Sequence, residues 1–321
     1  MSLPYFEVCA PDNLADAVSF LGKHPASTKI LAGGTDLLPS MKQRLFEPKF
    51  LLDIKSLQEL RGIEWRNNVL RIGAMVTISE VAANPVIRND FPVLQQAAAM
   101  VAGPGLRNVG TIGGNLCLDT RCYWYNQSYF WRKACGFCIK KDGTMCHVAP
   151  GSKQCWAVYS GDTAAALLTA GAGIKLVSMN GERMLPLAEF FVNDGGIRSR
   201  ILPGEILTEI LIPDTTRNYA GHYEKFRLRG SVDYPLAGVA VSARKANGKV
   251  EDLRIALTAV NPLPLLLSGD LAAIAADDGR DALSRLAMRS AKPLKTSAST
   301  MDYRRHMVGV MVRRALEKVG I

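Results

Sequence analysis

No stretch of this chain runs to 18 consecutive apolar residues, which excludes a hydrophobic membrane-spanning helix. The opening MSLPYFEVCAPDNLADAV has no basic start followed by an apolar core, so no secretory leader is expected and the expected compartment is the cytoplasm. The G-x-G-x-x-G dinucleotide fingerprint is missing. So are helix-turn-helix, zinc-finger and RNA-recognition signatures, and the lysines and arginines behind the net charge of +10 are scattered. That charge is therefore read as a basic surface for an acidic protein partner or for solubility, with no nucleic-acid partner and no membrane expected. Internal repeats and low-complexity tracts are also lacking. Cysteine is nearly absent outside one block: only Cys9 lies apart, and the other six fall between 117 and 155.

What is present is a globular composition, 48% hydrophobic and 21% charged over 321 residues, enough to build two domains of ordinary size. Residues 12–23 read as a helix capped by Asp12 or Asn13. TKILAGGTDLLPSMKQ reads as strand, glycine turn and helix, and KFLLDI as a short apolar strand. IEWRNNVLRIGA predicts a hairpin at Asn67-Asn68, and IKLVSMNGERMLPL one at Asn180-Gly181. The stretch 77–102 reads helical, RNVGTIGGNL as a glycine-rich loop, GDTAAALLTAGA as a helix, and EILTEILIP as a strand closed by Pro213. A boundary is expected near 215. Beyond it come YEKFRLR, a hairpin turning at Asn247-Gly248, and helices near 279–291 and 301–318. Strands and helices mix without strict βαβ alternation, which argues for α+β.

Two glycine loops could approach a ligand. In AGGTD (32–36), Gly33 and Gly34 have no Cβ, so backbone N–H groups can come close to a bulky anion at a helix start. In TIGGN (111–115), Thr111 and Asn115 add side-chain donors and acceptors. Each loop taken alone is as readily a plain structural turn. Asp36 sits awkwardly beside a phosphate; it is expected to cap the helix at 36–43 or to meet a sugar hydroxyl.

The cysteine block holds Cys117, Cys122, Cys135, Cys138, Cys146 and Cys155 among seven aromatic residues, Tyr123 to Phe137. Clustered thiols in a reducing compartment suggest metal more than disulfides. With few aliphatic residues for a core, four thiolates on one centre would stabilise such a segment. An iron–sulfur cluster, zinc and free structural thiols all stay open on residue chemistry; the irregular spacing, with Cys135 and Cys138 the one close pair, favours iron–sulfur. His147 is read as a surface or hydrogen-bonding residue. Arg121, Arg132, Lys133, Lys140, Lys141 and Lys153 against Asp119 and Asp142 make a basic segment, suited to an acidic electron carrier or simply solvated.

The set LAGGTDLLP, TIGGN, GDTAAALLTAGA and EILTEILIP resembles the FAD-binding medium subunits of the molybdenum hydroxylases, a family that includes xanthine and carbon monoxide dehydrogenases. The resemblance runs from about residue 4 to the C-terminal end. It implies a two-part FAD-binding domain of the vanillyl-alcohol-oxidase-like type over 1–216, split near 55–60. The smaller C-terminal α+β domain would be 217–321. It implies FAD contacts at Lys29, Leu31, Ala32, Gly33, Gly34, Thr35, Asp36, Val101, Thr111, Ile112, Gly113, Gly114 and Asn115. Asp162 matches an acidic FAD contact and Lys225 a lysine near the flavin ring, where a cation would favour the reduced flavin. A solvated strand lysine is the plainer alternative for Lys225.

In ordinary members of that family the chain passes almost directly from GGN to the region matching SGDT; here 116–159 intervene. The insertion, at about 117–157, resembles the one that distinguishes the β subunits of 4-hydroxybenzoyl-CoA reductases, which carry a [4Fe–4S] cluster beside FAD. It implies cluster ligands Cys122, Cys138, Cys146 and Cys155, with Cys135 a neighbour that could exchange roles with Cys138. It also implies a large molybdenum-cofactor subunit and a small [2Fe–2S] subunit as partners in a dimer of heterotrimers. Reduced ferredoxin would be the electron donor, and no substrate-transforming residue would lie on this chain.

Overall fold

A computed structural model describes residues 2–277, 279–295 and 299–321. Its first layer is a small parallel sheet of β1 (Glu7–Cys9), β2 (Thr28–Leu31) and β3 (Phe50–Asp53), ordered β1-β3-β2. The helix Leu14–Lys23 runs between β1 and β2. Asn13 caps it, the side chain accepting from the Asp16 N–H. Its Ala17, Val18 and Leu21 bury against Leu52, Ile54 and Leu57. The loop 32–36 leaves β2 and enters the helix Leu37–Lys42.

The second layer is antiparallel. The strands β4 (Ile63–Arg66), β5 (Val69–Gly73), β6 (Gly173–Ser178), β7 (Gly181–Pro186) and β8 (Ile206–Pro213) take the order β4-β5-β8-β6-β7. Asn67 and Asn68 turn the first hairpin with φ of 48° and 62°, a left-handed pair that asparagine tolerates. The turn expected at Asn180-Gly181 lies one residue earlier. Ser178 pairs with Gly181, so Met179 and Asn180 form the loop, and Gly181 takes its left-handed φ of 110° as the first residue of β7.

The helical stretch 77–102 is three short helices, Ile78–Ala83, Pro85–Asp90 and Pro92–Ala99. A proline at the first position of the second and third breaks the continuity. The expected loop at 107–116 contains a turn of helix, Ile112–Leu116, whose cap is Thr111 accepting from the Gly114 N–H. Packing decides this: a Cβ on Gly113 would lie 2.7 Å from that of Ala74, so only glycine lets this turn rest on the segment after β5.

The helix Asp162–Thr169 is buried at every position, as a segment apolar all round must be. It lies between Ile174, Ile210 and Ile212 of the five-stranded sheet and Tyr223, Ala240 and Ala256 of a third sheet. That sheet pairs β9 (Ala220–Phe226), β10 (Ala237–Ala246), β11 (Lys249–Thr258) and β12 (Leu265–Leu266) in the order β12-β11-β10-β9. The Asn247-Gly248 turn forms as expected, with φ of 52° and 78°. The alternate residues Val239, Val241, Leu253 and Ile255 face the helices Gly279–Ser290 and Met301–Lys318. Inside this domain the buried Arg304 guanidinium donates to the carbonyls of Leu236 (2.8 Å), Ala259 (2.7 Å) and Leu294 (2.5 Å), and burial pulls its pKa down to about 10. The mixed α+β expectation holds, with the smaller domain at the C-terminal end. Among the described residues no helix is long and apolar enough to cross a membrane.

Candidate functional site

A cleft of about 490 Å³ opens where the parallel layer, the turn 104–116 and the C-terminal loop 232–234 meet, within the size range of small-molecule and cofactor sites. The two glycine loops form facing walls that touch. A Cβ on Gly33 would lie 2.3 Å from the Val109 carbonyl oxygen, so a side chain there must displace backbone, and Gly34 takes φ 73°, which strains any other residue. Lys29, Ala32, Gly33, Gly34, Thr35, Asp36, Val101, Thr111, Gly114, Asn115 and Asp162 line the cleft. Leu31, Ile112 and Gly113 do not; Ile112 and Gly113 are buried behind the wall. Two buried hydroxyls on the lining, Thr28 Oγ1 and Ser160 Oγ, have no partner. Glycine backbone on both sides, orphaned hydroxyls and the cations Lys29 and Arg198 suit a long, phosphate-bearing cofactor.

Lys225 is not on the cleft surface. Its side chain is 1% exposed, and its Nζ donates to Asp162 Oδ2 (3.0 Å) and the Met100 carbonyl (3.0 Å). Asp162 Oδ1 accepts from the Tyr223 hydroxyl at 2.8 Å. Burial pushes the Asp162 carboxyl up and the Lys225 ammonium down, and each opposes that shift in the other. Lys225 thus acts on the cleft through Asp162, and the solvated alternative is excluded. Asn115 fixes the same corner, accepting from Thr163 Oγ1 at 2.6 Å.

Asp36 does not cap its helix with its side chain. The carboxylate instead accepts from Tyr234 (3.0 Å) and pairs with Arg121 (3.3 Å), whose guanidinium stacks 4.0 Å over the Tyr234 ring. The aromatic hydroxyl and cation reach Asp36 from the C-terminal domain and the insertion, so they outcompete the local backbone for it.

The insertion leaves and returns through one antiparallel bridge. Arg121 N–H donates to the Val158 carbonyl (2.7 Å) and Val158 N–H to that of Arg121 (2.9 Å). Between them lies the helix Tyr129–Ala134, capped by Ser128. The basic-face reading needs correction. Arg132 is 1% exposed, its Nη2 donating to the Arg44 carbonyl at 3.0 Å, just past the end of the helix Leu37–Lys42. Lys140 is equally interior: its Nζ meets Asp119 Oδ1 at 2.8 Å. Both cations are consumed in docking the insertion, and of the six only Lys133 and Lys153 are well exposed.

Cys138, Cys146 and Cys155 are buried, and Cys122, Cys135 and Cys117 half-buried, all as free thiols. Burial raises the Cys122 pKa, and the nearby Cys138 and Cys146 raise it further. Cys155 is raised to about 11, by burial first and also by Cys122 and Cys146, while Lys140 opposes. Cys122, Cys138, Cys146 and Cys155 therefore share one neighbourhood. Cys117 instead lines the cleft. His147 stacks on Trp124 at 4.6 Å with its Nε2 against the Phe137 carbonyl. Among the described residues no three His, Cys, Asp or Glu side chains close around a single metal ion. Four thiols in one neighbourhood are the donor set that the cluster expectation requires.

Two residues escaped the sequence reading as site residues. Arg198, from the loop after β7, and Asp119, just past TIGGN, both line the cleft and pair at 3.4 Å. Gly195-Gly196 beside Arg198 was the only local sign. Asp119 also accepts from the Tyr125 hydroxyl at 2.8 Å. Burial alone would raise its pKa, but Lys140, Arg198 and Tyr125 hold it below the usual carboxylate range.

A family model described as "FAD binding domain in molybdopterin dehydrogenase" matches residues 4–215, and one described as "CO dehydrogenase flavoprotein C-terminal domain" matches 221–319. The carbon monoxide dehydrogenase medium chain of Hydrogenophaga pseudoflava is 31% identical over 98% of this chain and 96% of its own length. The putative xanthine dehydrogenase FAD-binding subunit XdhB of Escherichia coli (strain K12) is 27% identical over 95% and 92%. Among solved structures, reconstituted CO dehydrogenase from Oligotropha carboxidovorans superimposes with a TM-score of 0.80 at 28% identity, covering 99% of both chains.

Proposed function

From a chain that belongs to the FAD-binding medium subunits of the molybdenum hydroxylase family, we infer an electron-transfer subunit that holds a [4Fe–4S] cluster in addition to FAD. The enzyme proposed is a molybdenum-containing 4-hydroxybenzoyl-CoA reductase, with a large molybdenum-cofactor subunit, a small [2Fe–2S] subunit and reduced ferredoxin as donor. When bound, the two groups supply one-electron relay chemistry, which no side chain of this chain provides. The carrying observation is the thiol quartet Cys122, Cys138, Cys146 and Cys155, set in an insertion that is docked beside the cleft.

The chain's own residues do the holding. Gly33, Gly34 and Gly114 bring backbone to the cofactor, Lys29 and Arg198 place positive charge in the cleft, and Asp162 presents a carboxylate oriented by Tyr223 and Lys225. Within the insertion, Tyr123, Trp124 and Trp131 pack ring to ring, an aromatic cover that would limit water at a cluster beneath it. Iron, sulfide, zinc and flavin content per chain tests this proposal, followed by assay of the purified complex with reduced ferredoxin and 4-hydroxybenzoyl-CoA. Four irons and one FAD per chain with turnover are expected; zinc without iron would sink it. An FAD subunit of another family member, acting on carbon monoxide or a purine, fits the full-length likeness to the carbon monoxide dehydrogenase medium chain. It would show flavin and turnover of those substrates instead.

A further inference from the structure

Between the flavin cleft and the thiol quartet lies a row of charges, the half-buried Arg198 and the buried Asp119 and Lys140. Asp119 Oδ1 meets Arg198 Nη1 at 3.4 Å on the cleft side and Lys140 Nζ at 2.8 Å on the insertion side. The Lys140 side chain is 5% exposed. Its Nζ also donates to the Thr120 carbonyl (2.9 Å) and to Thr120 Oγ1. The Thr120 hydroxyl donates in turn to the Gly195 carbonyl, and the Gly195 N–H donates to the Cys155 carbonyl at 2.8 Å. Lys140 is two residues from Cys138 in the chain and joined to Cys155 by this hydrogen-bonded path. Its position is fixed on the other flank by the Tyr125 ring, 4.2 Å away.

Charge placement here has a direct physical consequence. A cluster or flavin gains negative charge on reduction, so a fixed cation nearby favours the reduced form and a fixed anion disfavours it. The effect is largest where water is excluded. A solvated lysine would be screened and would do little; Lys140 is not solvated.

We propose that Lys140 and Asp119 are positioning residues that set the reduction potentials of the two redox groups jointly, Lys140 raising that of the cluster and Asp119 lowering both. This rests on the thiol quartet holding a cluster. One buried ion pair then spans both sites, and a change in either partner moves the gap across which electrons pass. Removing Lys140 leaves the cluster beside an anion with one cation fewer. Removing the charge of Asp119 leaves Lys140 and Arg198 unopposed.

Redox titration of the assembled complex, with electron paramagnetic resonance for the cluster and visible absorbance for the flavin, tests this in Lys140→Met, Lys140→Arg, Asp119→Asn and the Lys140→Met/Asp119→Asn double variant. Iron and flavin are counted in each. The cluster potential should fall in Lys140→Met, stay near wild type in Lys140→Arg, rise in Asp119→Asn together with the flavin potential, and largely return in the double variant. Unchanged potentials in variants with full iron would overturn the inference. So would loss of iron in Lys140→Met that Lys140→Arg does not restore, since Lys140 would then be packing alone. A wild-type chain without iron defeats the cluster assignment itself, a different result from an iron-replete chain indifferent to Lys140.

Discussion

At the scale of single residues, the thiols divide by neighbourhood. Cys122, Cys138, Cys146 and Cys155 share one, whereas Cys135 sits half-buried at the C-terminal cap of the helix Tyr129–Ala134. Cys135→Ser should retain full iron content, whereas Cys146→Ser should lose most of it; equal losses in iron analysis would mean that Cys135 is a ligand. Asp119 gives a pH test. Its folded pKa lies below the usual value, so in acid the unfolded chain takes up the proton first. The stabilisation is complete above the ordinary carboxylate pKa of about 4 and is lost as pH falls through the lower folded value. Asp119→Asn should therefore flatten the fall of the urea midpoint between about pH 5 and pH 3; a slope as steep as wild type would contradict this. The six-cysteine block and the cleft glycines were legible in sequence because residue type alone marks them; the choice of four thiols among the six came from the family resemblance. Asp119 and Lys140 were not legible. Twenty-one positions apart within a polar block, they look like solvated charges until the fold buries one against the other.

Among the elements, the touching glycine loops are the most exacting. A Cβ at Gly33 would overlap the Val109 carbonyl, which is backbone and cannot rotate away. Gly33→Ala should force the loops apart at about 1–3 kcal/mol. The purified subunit should retain flavin roughly 5- to 150-fold more weakly, each 1.4 kcal/mol being about a factor of ten; wild-type flavin binding in a fluorescence titration would refute it. Strands and hairpins were readable where local chemistry settles the backbone, as at Asn67-Asn68 and Asn247-Gly248. The turn of helix at Ile112–Leu116 was unreadable because its cause is the Ala74 backbone, far away in sequence. The shift of the β6–β7 turn has a similar lesson: the Asn-Gly pair marked a hairpin, but the ladder fixed which residues close it.

For the whole molecule, the five-stranded sheet and the C-terminal sheet meet on the helix Asp162–Thr169, and the C-terminal domain has its own keystone in Arg304. Arg304→Met would strand three carbonyl acceptors, at about 1–3 kcal/mol each before relaxation. A loss of about 3 kcal/mol or more is expected in urea unfolding, with the β9–β12 domain melting first in hydrogen exchange; a loss under about 1 kcal/mol would show that the site collapses around the smaller side chain. The insertion presents the opposite case. Its two ends are already clasped by the Arg121–Val158 bridge, so the host sheets meet the same pair of neighbours whether the intervening chain is long or short, and loop length itself weighs little on stability. Replacing 122–157 by an Asn-Gly turn should give an iron-free chain that still binds flavin, measured by absorbance after reconstitution. Failure to bind would show that the host depends on its guest. The bridge makes the cysteine segment a portable cassette: the same clasp, offered at the same place in a relative without one, is where the proposed cluster site would be grafted.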